Sequence, residues 1–239
     1  MALPPAPVTV QAVIFDLDGV LIDSEQVWDE VRRAFVAERG GRWMADSTAL
    51  MMGMSTAEWS GYLFELGAGG SAEEIAAEVR SRVAARYGDA PPLLPGAVAT
   101  VRALAERWPL GVASSSPRTL IELVLDRAGL AGEFRQVVSS EEVARGKPAP
   151  DVYLEAVRRM RMRMRVPDGT AAGVVVAVED SANGLRAASA AGLAVVAVPN
   201  EHFPPDADAL ALASARVDGV AGLTAQVVLA AAEHHTTRT

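Results

Sequence analysis

Two pairs of carboxylates stand directly after apolar segments of the chain, where they could act together on one substrate. Asp16 and Asp18 follow the first apolar segment, and Glu179 and Asp180 follow a later one. Carboxylates that pack together repel one another and raise their pKa values, and a bound hard cation removes this conflict. Because every ligand would be an oxygen atom, with no His or Cys beside them, the four residues predict a Mg²⁺ site.

The first pair could also carry covalent chemistry. An aspartate can act as the nucleophile in phosphoryl transfer and form an aspartyl-phosphate, which makes Asp16 the candidate nucleophile. Asp18, two residues on, is the candidate acid that protonates the leaving alkoxide and then deprotonates water. Any single acid here could instead be a turn residue or a helix cap, and Asp180 or Ser181 could cap a helix that starts nearby. Capping does not require the acids to gather at one place, so the full set favours catalysis.

Hydroxyl and ammonium groups in two further segments could bind phosphate. Ser114 and Ser115 follow the second apolar segment, and Lys147 lies between a glycine and a proline that restrict its loop. Each of them alone is as well explained as a loop hydroxyl or a surface lysine. A fixed ammonium and hydroxyls beside Mg²⁺ would hold phosphate oxygens, so all three are candidate phosphate-binding residues.

The apolar segments that precede these residues are short and rich in Val and Ile, which predicts strands buried on both faces of a parallel sheet. The predicted strands are Val10–Phe15, Leu110–Ala113, Gln136–Val138, Val174–Val178 and Leu193–Val198. The predicted helices between and after them are Pro95–Trp108, Pro117–Ala128, Asp151–Met160 and Ser181–Ala191. This alternation predicts an α/β fold with a doubly wound parallel sheet. Ligands bind beyond the carboxyl ends of the strands in such a sheet, which is where the candidate residues lie.

One stretch interrupts the alternation, because no strand pattern is found from about Glu25 to Tyr87. Its apolar residues recur at helical spacing, and Ser71 with Glu74 three residues later predicts a capping box at the start of one helix. The chain is therefore predicted to have an α/β core domain of residues 1–23 and 93–239. Residues 24–92 are predicted to form an inserted helical cap domain, hinged over the sheet.

Composition excludes several classes of protein. The 239 residues carry a net charge of −8, which disfavours a general binder of nucleic acid or of anionic membranes. The absence of cysteine excludes disulfides, thiolate metal sites and cysteine nucleophiles. No apolar run reaches membrane-spanning length and no basic signal-like start is found, so a cytoplasmic protein is expected. The end of the chain, with His234 and His235, is expected to be a frayed tail rather than a metal site.

Four segments match a known pattern. The chain resembles the haloacid dehalogenase superfamily, in the branch of capped phosphatases and β-phosphoglucomutase-like enzymes. The matching segments, in the order of the family, are Asp16-Leu17-Asp18-Gly19-Val20-Leu21-Ile22-Asp23-Ser24-Glu25, Ser114, Gly146-Lys147-Pro148-Ala149-Pro150-Asp151 and Val178-Glu179-Asp180-Ser181-Ala182-Asn183-Gly184. They cover the predicted α/β core from end to end.

The resemblance implies a Rossmann-like core with a helical cap, and it implies a role for each matching residue. Asp16 would be the nucleophile and Asp18 the general acid and base, while Ser114 and Lys147 would bind the transferring phosphoryl group. Asp16, the backbone carbonyl of Asp18, and Asp180 would hold Mg²⁺, with Glu179 alongside.

Differences among the dehalogenases, mutases and phosphatases of the family indicate which of their reactions this chain is expected to catalyse. Dehalogenases of the family lack the second aspartate, so the presence of Asp18 favours phosphoryl transfer. The mutases usually carry a His where Trp28 stands, and an Arg where Thr56 follows Gly53-Met54-Ser55. The chain looks more similar to bacterial sugar-phosphate phosphatases of the 2-deoxyglucose-6-phosphate and hexitol-phosphate type.

The cap is where substrate contacts are expected. Trp28, Gly53 and Met54 are the candidates, although Trp28 is as well explained as a core residue of the cap. The sequence therefore predicts a Mg²⁺-dependent phosphatase of a small phosphorylated metabolite, a sugar or polyol phosphate, that is a monomer or a small homo-oligomer. A β-phosphoglucomutase-type phosphomutase is the alternative, and a non-catalytic phospho-aspartate switch or binding protein is an alternative of another class.

Overall fold

The chain folds into two compact units, the first made of Met1–Ile22 with Leu93–Thr239 and the second of Asp23–Pro92. The structure, a computed structural model, describes residues 8–51, 54, 56–164, 173–200 and 204–238. Ile22 and Leu93 form an antiparallel bridge, so the two ends of the interruption in the first unit lie side by side. An inserted segment of 70 residues can leave the first unit and return to it without disturbing its sheet.

A single parallel sheet organises the first unit. Within the described residues it has six strands in the order β3-β2-β1-β4-β5-β6. The strands are β1 (Val10–Phe15), β2 (Leu110–Ser114), β3 (Phe134–Ser139), β4 (Val174–Glu179), β5 (Ala194–Ala197) and β6 (Ala215–Arg216). The order reverses on the two sides of β1, which confirms the predicted Rossmann-like, doubly wound α/β fold.

Helices cover this sheet because its apolar strands need burial on both faces. The helices of the first unit are α5 (Ala97–Ala105), α6 (Arg118–Arg127), α7 (Asp151–Arg163), α8 (Ala182–Ala190), α9 (Ala207–Leu210) and α10 (Ala225–Arg238). Ala12 and Ile14 of β1 join a core cluster with Val152 of α7 and Leu185 of α8. Alternate residues of β1 point to the opposite face of the sheet.

The second unit is helical wherever it has regular structure within the described residues, as the sequence predicts. Its helices are α1 (Ser24–Glu38), α2 (Ser47–Met51), α3 (Thr56–Leu63), followed by a π-helical turn at Phe64–Ala68, and α4 (Ala72–Asp89). Ser71 accepts a hydrogen bond from the backbone N–H of Glu74, whose side chain accepts from the N–H of Ser71. The predicted capping box is therefore confirmed.

Two parts of the first unit differ from the sequence-based expectation. The strand β6 has only two residues, too few to give a periodic signal. The end of the chain is not a frayed tail, because α10 buries Val228, Ala231 and Ala232 and contacts β4 and β5. Nδ1 of His234 also lies 2.9 Å from the carbonyl oxygen of Ser214. Tertiary packing stabilises this alanine-rich helix, which its sequence pattern alone does not reveal.

None of the helices described is both long enough and apolar enough to cross a membrane.

Candidate active site

The carboxyl ends of β1 and β4 bring the predicted acids together. The two strands are neighbours in parallel register, with Phe15 opposite Val178, so the residues that follow them lie side by side. One carboxylate oxygen each from Asp16, Glu179 and Asp180 lies within 4.8 Å of the others, and all three residues are buried. The backbone N–H of Asp16 donates to the carbonyl of Val178 at 2.9 Å, which extends the ladder to the site itself.

Lys147 supplies a positive charge inside this group of acids. Its Nζ lies 2.5 Å from Oε1 of Glu179 and 3.1 Å from Oδ1 of Asp16, and its side chain is only 4% exposed. The loop between β3 and α7 carries it, and the Lys147–Pro148 peptide bond in that loop is cis. A buried ammonium between two carboxylates has a fixed position, which suits a group that binds phosphate oxygens.

Tyr153 is a second donor to the same glutamate. Its hydroxyl donates to Oε1 of Glu179 at 2.6 Å, and its ring centroid lies 5.2 Å from Nζ of Lys147. Ser181 adds a hydroxyl 3.4 Å from Oε2 of Glu179, and it caps α8 by accepting from the N–H of Gly184. Glu179 is therefore fully buried and held by donors from α7 and the Lys147 loop. It fixes the ammonium of Lys147 whether or not it also contacts a metal.

Two glycines leave the room that these carboxylates occupy. A Cβ on Gly184 would lie 1.8 Å from Oε2 of Glu179, and a Cβ on Gly19 would lie 1.9 Å from Oδ2 of Asp180. Gly19 also has φ of +74°, which a residue with a side chain rarely adopts. Both positions therefore require glycine if the acids are to keep these places.

Asp18, which follows β1, lies beside Ser114, the last residue of β2, and Ser116, two residues further on. Its Oδ2 accepts from Oγ of Ser116 at 2.7 Å and from Oγ of Ser114 at 3.3 Å. Its Oδ1 is buried and has no hydrogen-bond partner among the described residues. The hydroxyls therefore hold the carboxyl group through one of its two oxygens.

The charges of the buried groups depend strongly on one another. Burial raises the pKa of Asp16 to about 8, against the lowering effect of Lys147 and together with the repulsion of Glu179 and Asp18. Burial opposes the charge of Lys147, but Asp16 and Glu179 outweigh it and raise the pKa of the ammonium above its usual range. Burial, together with Glu179, also raises the pKa of Tyr153 well above its usual value, so the phenol remains a donor.

The cluster has the chemistry that a divalent cation requires. Three carboxylates converge within 4.8 Å, and Lys147, which contacts two of them, contributes a single positive charge. The ionised group therefore carries excess negative charge, and its donors are all oxygen atoms, the ligands that Mg²⁺ prefers. A cation would also lower the raised pKa of Asp16 and so favour its carboxylate form.

The other predicted site residues are placed differently. Ser115 is exposed, whereas Ser114 is fully buried. Trp28 belongs to α1 of the second unit, where its ring packs edge to face on that of Trp59 with centroids 5.9 Å apart. Met54 is half-buried in the same unit, and Gly53 lies outside the described residues.

Sequence reasoning missed two residues that touch the predicted acids. Ser116 is buried and contacts Asp18, and it is the third of three consecutive serines. Tyr153 lies on the buried face of α7, and a buried tyrosine generally needs a partner for its hydroxyl. Tyr153 could have been identified in the sequence from this need for a hydroxyl partner. Ser116 could have been identified from the alternation of buried and exposed residues along an extended segment.

Comparison with known proteins agrees with this geometry. The family model described as haloacid dehalogenase-like hydrolase matches residues 10–192. Hexitol phosphatase B of Escherichia coli is 31% identical over 229 residues, which cover 93% of this chain and 98% of that protein.

Solved structures show the same architecture. CbbY from Rhodobacter sphaeroides, crystallised in complex with phosphate, is 25% identical with a TM-score of 0.72, over 90% of this chain and 96% of that one. β-Phosphoglucomutase from Clostridium difficile has a TM-score of 0.74 over 96% of this chain and all of that one. It is only 19% identical, so that likeness is one of fold alone.

Proposed function

The chain belongs to the haloacid dehalogenase-like hydrolase family, and on that premise we propose that it hydrolyses the phosphate monoester of a sugar or polyol through an aspartyl-phosphate on Asp16. The observation that carries the proposal is the buried contact of Lys147 with both Asp16 and Glu179 beside Asp180. This arrangement places a nucleophile, a fixed cation and further acids within reach of one phosphoryl group.

In the first half of the reaction, the carboxylate of Asp16 attacks the phosphorus and the bond from phosphorus to the substrate oxygen breaks. The bonding electrons leave with that oxygen, and the carboxyl of Asp18 gives it a proton. Lys147 and the hydroxyl of Ser114 are proposed to bind the phosphoryl oxygens. Their positive charge and hydrogen bonding stabilise the charge that spreads over these oxygens in the transition state.

In the second half, Asp18 acts in the opposite sense. Its carboxylate takes a proton from water, the water oxygen attacks the phosphorus, and the bond to Asp16 breaks to release inorganic phosphate. Asp16 returns to its carboxylate and Asp18 to its carboxyl form. One residue thus gives a proton in the first step and takes one in the second, so the cycle closes without any other acid or base.

We propose Mg²⁺ as the cofactor of this site. Asp16, Asp180 and the backbone carbonyl of Asp18 would hold it, with Glu179 beside them. When bound, it supplies positive charge that neutralises the acids and the phosphate. Of the residues proposed for the metal site, Glu179 is the least available to the metal, because its Oε1 already accepts hydrogen bonds from Lys147 and Tyr153.

The relatives suggest the substrate class. Hexitol phosphatase B, which matches over nearly its whole length, is named for a polyol phosphate. We therefore propose hexitol and sugar phosphates as substrates, with the second unit as the cap domain that selects them. A panel of hexitol, hexose and pentose phosphates, scored by phosphate release, tests this proposal. Conversion of β-glucose 1-phosphate to glucose 6-phosphate without phosphate release would identify a mutase instead.

The substitution Asp16→Asn tests the nucleophile. It removes the charge and the attacking oxygen while keeping the volume, so phosphate release should fall by about a thousandfold or more. Acid-quenched wild-type protein should carry phosphate on Asp16, and the variant should carry none. Wild-type activity in Asp16→Asn would refute the proposal, and a phosphoenzyme that forms but never releases phosphate would favour the phospho-switch.

Chelation tests the cofactor independently. Activity should vanish in excess EDTA and return with added Mg²⁺, and Mg²⁺ should raise the melting temperature of the metal-free protein by mass action. An Asp180→Asn variant should lose most of that rise. Full activity after exhaustive chelation would show that the acids serve without a metal.

A further inference from the structure

The hydroxyl of Ser116 makes the shortest hydrogen bond to the carboxyl of Asp18. Its Oγ lies 2.7 Å from Oδ2 of Asp18, while Oγ of Ser114 lies 3.3 Å from the same oxygen. Ser116 is buried, as is Ser114, and Ser115 between them is exposed. The contact therefore lies on the inner side of this loop and is partly buried.

The backbone of Ser116 is fixed from two directions. Its N–H donates to Oγ of Ser114 at 3.0 Å, and its carbonyl accepts from Oγ of Ser139 at 2.8 Å. Ser139 ends β3 and is fully buried, and its Oγ also accepts from the N–H of Glu141. The ends of three neighbouring strands thus determine where the hydroxyl of Ser116 points.

We propose that Ser116 is a positioning residue that holds the carboxyl group of Asp18 in the orientation needed for proton transfer. This inference rests on the proposed role of Asp18 as general acid and base. It assigns a role to Ser116, which has none in the proposed function. The 2.7 Å hydrogen bond from Ser116 holds Oδ2 of Asp18 and thereby fixes the rotation of the carboxyl group.

This arrangement matters for one bond of the reaction. As the bond from phosphorus to the substrate oxygen breaks, the electron pair moves to that oxygen, and the proton of the Asp18 carboxyl group follows it. The carboxylate that remains keeps its hydrogen bond from Ser116, which stabilises the new charge. Without that donor the carboxyl group can rotate, and its proton is then misplaced for transfer.

The demand for this proton depends on the leaving group. An alkoxide is a strong base and departs slowly unless it is protonated, whereas p-nitrophenolate is a weak base and departs without help. A variant that only misplaces the proton should therefore lose activity on an alkyl phosphate and keep it on p-nitrophenyl phosphate. A variant that damages the fold or the phosphate site should lose both to the same extent.

The experiment measures kcat/KM, which reports on steps through the first P–O cleavage, for sorbitol 6-phosphate and p-nitrophenyl phosphate in Mg²⁺. In Ser116→Ala the value for sorbitol 6-phosphate should fall about 10- to 100-fold, a part of the roughly 10²- to 10⁴-fold that general acid catalysis contributes. The value for p-nitrophenyl phosphate should change by less than about threefold. Ser116→Thr, which keeps a hydroxyl, should restore the ratio of the two values.

Three further variants make the result decisive. Ser116→Cys fills about the same volume as serine, but its thiol is only a weak hydrogen-bond donor. It should therefore lower the ratio as Ser116→Ala does, and it keeps the test valid even if Ser116→Ala is less stable than the wild type. Thr100→Val removes another buried hydroxyl, one that donates to the carbonyl of Val220, and should leave the ratio unchanged. Asp18→Ala should lower the ratio further than any serine variant.

The outcomes separate the two ideas. If Asp18→Ala lowers the ratio while Ser116→Ala and Ser116→Cys leave it at the wild-type value, the positioning role of Ser116 is wrong and the proposed function stands. If Asp18→Ala itself lowers both values equally, the acid role of Asp18 fails, and with it the basis for this inference.

Discussion

The two units of the chain bury charge in different ways. In the first unit, the ammonium of Lys147 lies 2.5 Å from a carboxylate oxygen of Glu179, and neither side chain is more than 4% exposed. In the second unit, the guanidinium of Arg32 contacts two aromatic rings, 4.8 Å from the centroid of Trp28 and 4.9 Å from that of Trp59. Burial lowers the pKa of Arg32 to about 10, and its Nε has no hydrogen-bond partner among the described residues.

The difference follows from the secondary structure that carries the groups. Neighbouring parallel strands end at one edge and place successive polar residues within hydrogen-bond distance, so opposite charges can satisfy each other away from water. Helices offer side chains at three- and four-residue spacing, as with Trp28 and Arg32, and hold a cation against ring faces. One ion pair of the second unit, Arg86 with Glu30, lies at its surface with each side chain more than half exposed. The buried ion pair of the first unit should therefore be costly to disturb, whereas the exposed ion pair of the second unit should tolerate substitution.

The largest expected loss of stability appears in a comparison of two ion pairs. Lys147→Met leaves the carboxylate of Glu179 buried without its cation, and this should lower the free energy of unfolding by about 3–5 kcal/mol. Arg86→Met removes an exposed partner of Glu30 and should cost about 0–1 kcal/mol. Urea denaturation in EDTA, followed by circular dichroism, measures both. Equal losses would show that burial does not distinguish these pairs.

A second contrast makes the same substitution in one helix of each unit. Gly184→Ala in α8 places a Cβ 1.8 Å from Oε2 of Glu179, so the carboxylate must leave its donors. We expect a loss of about 3 kcal/mol, at the upper end for overpacking, and a large loss of phosphatase activity. Gly61→Ala in α3 meets no atom within 4 Å and should instead stabilise by about 0.5–1 kcal/mol, because alanine favours helix.

Thermal unfolding and phosphate release report both glycine variants. Full stability and full activity in Gly184→Ala would contradict this prediction, because the carboxylate of Glu179 would then not need its observed position.

The smallest contrast removes one phenolic hydroxyl from each unit. Tyr153→Phe takes a 2.6 Å donor from the charged Glu179 and should cost about 1.5 kcal/mol. Tyr62→Phe removes a 3.0 Å contact with the neutral hydroxyl of Ser47 and should cost about 0.5 kcal/mol. Denaturation midpoints at constant slope give both values. A larger loss from Tyr62→Phe would reverse the order that acceptor charge predicts.

Much of the first unit could be predicted from its sequence. Continuous Val- and Ile-rich runs identified the first five strands, because a strand buried on both faces has little room for polar side chains. The acids that follow β1 and β4 were placed together because parallel strands end at one edge. The strand β6 and the helix α10 were missed, since both depend on packing against β5 rather than on a local pattern.

The second unit was predicted less completely at the level of residues. Its helical content and the capping box at Ser71 followed from periodicity and from local hydrogen-bond chemistry. The contact of Arg32 with both Trp28 and Trp59 did not, because the two tryptophans lie on different helices. A sequence pattern within one helix carries no information about which residue of another helix will face it.

The sequence by itself determined which chemical groups were available and at which strand ends they stand. Residue type and spacing along the chain are sufficient for that, as Asp16 and Asp180 show. Tertiary structure decided the partners: Ser116 rather than Ser115 contacts Asp18, and Tyr153 joins Lys147 on Glu179. Hydrogen bonds require donor and acceptor within about 3 Å in a suitable direction, and only the folded backbone fixes both conditions.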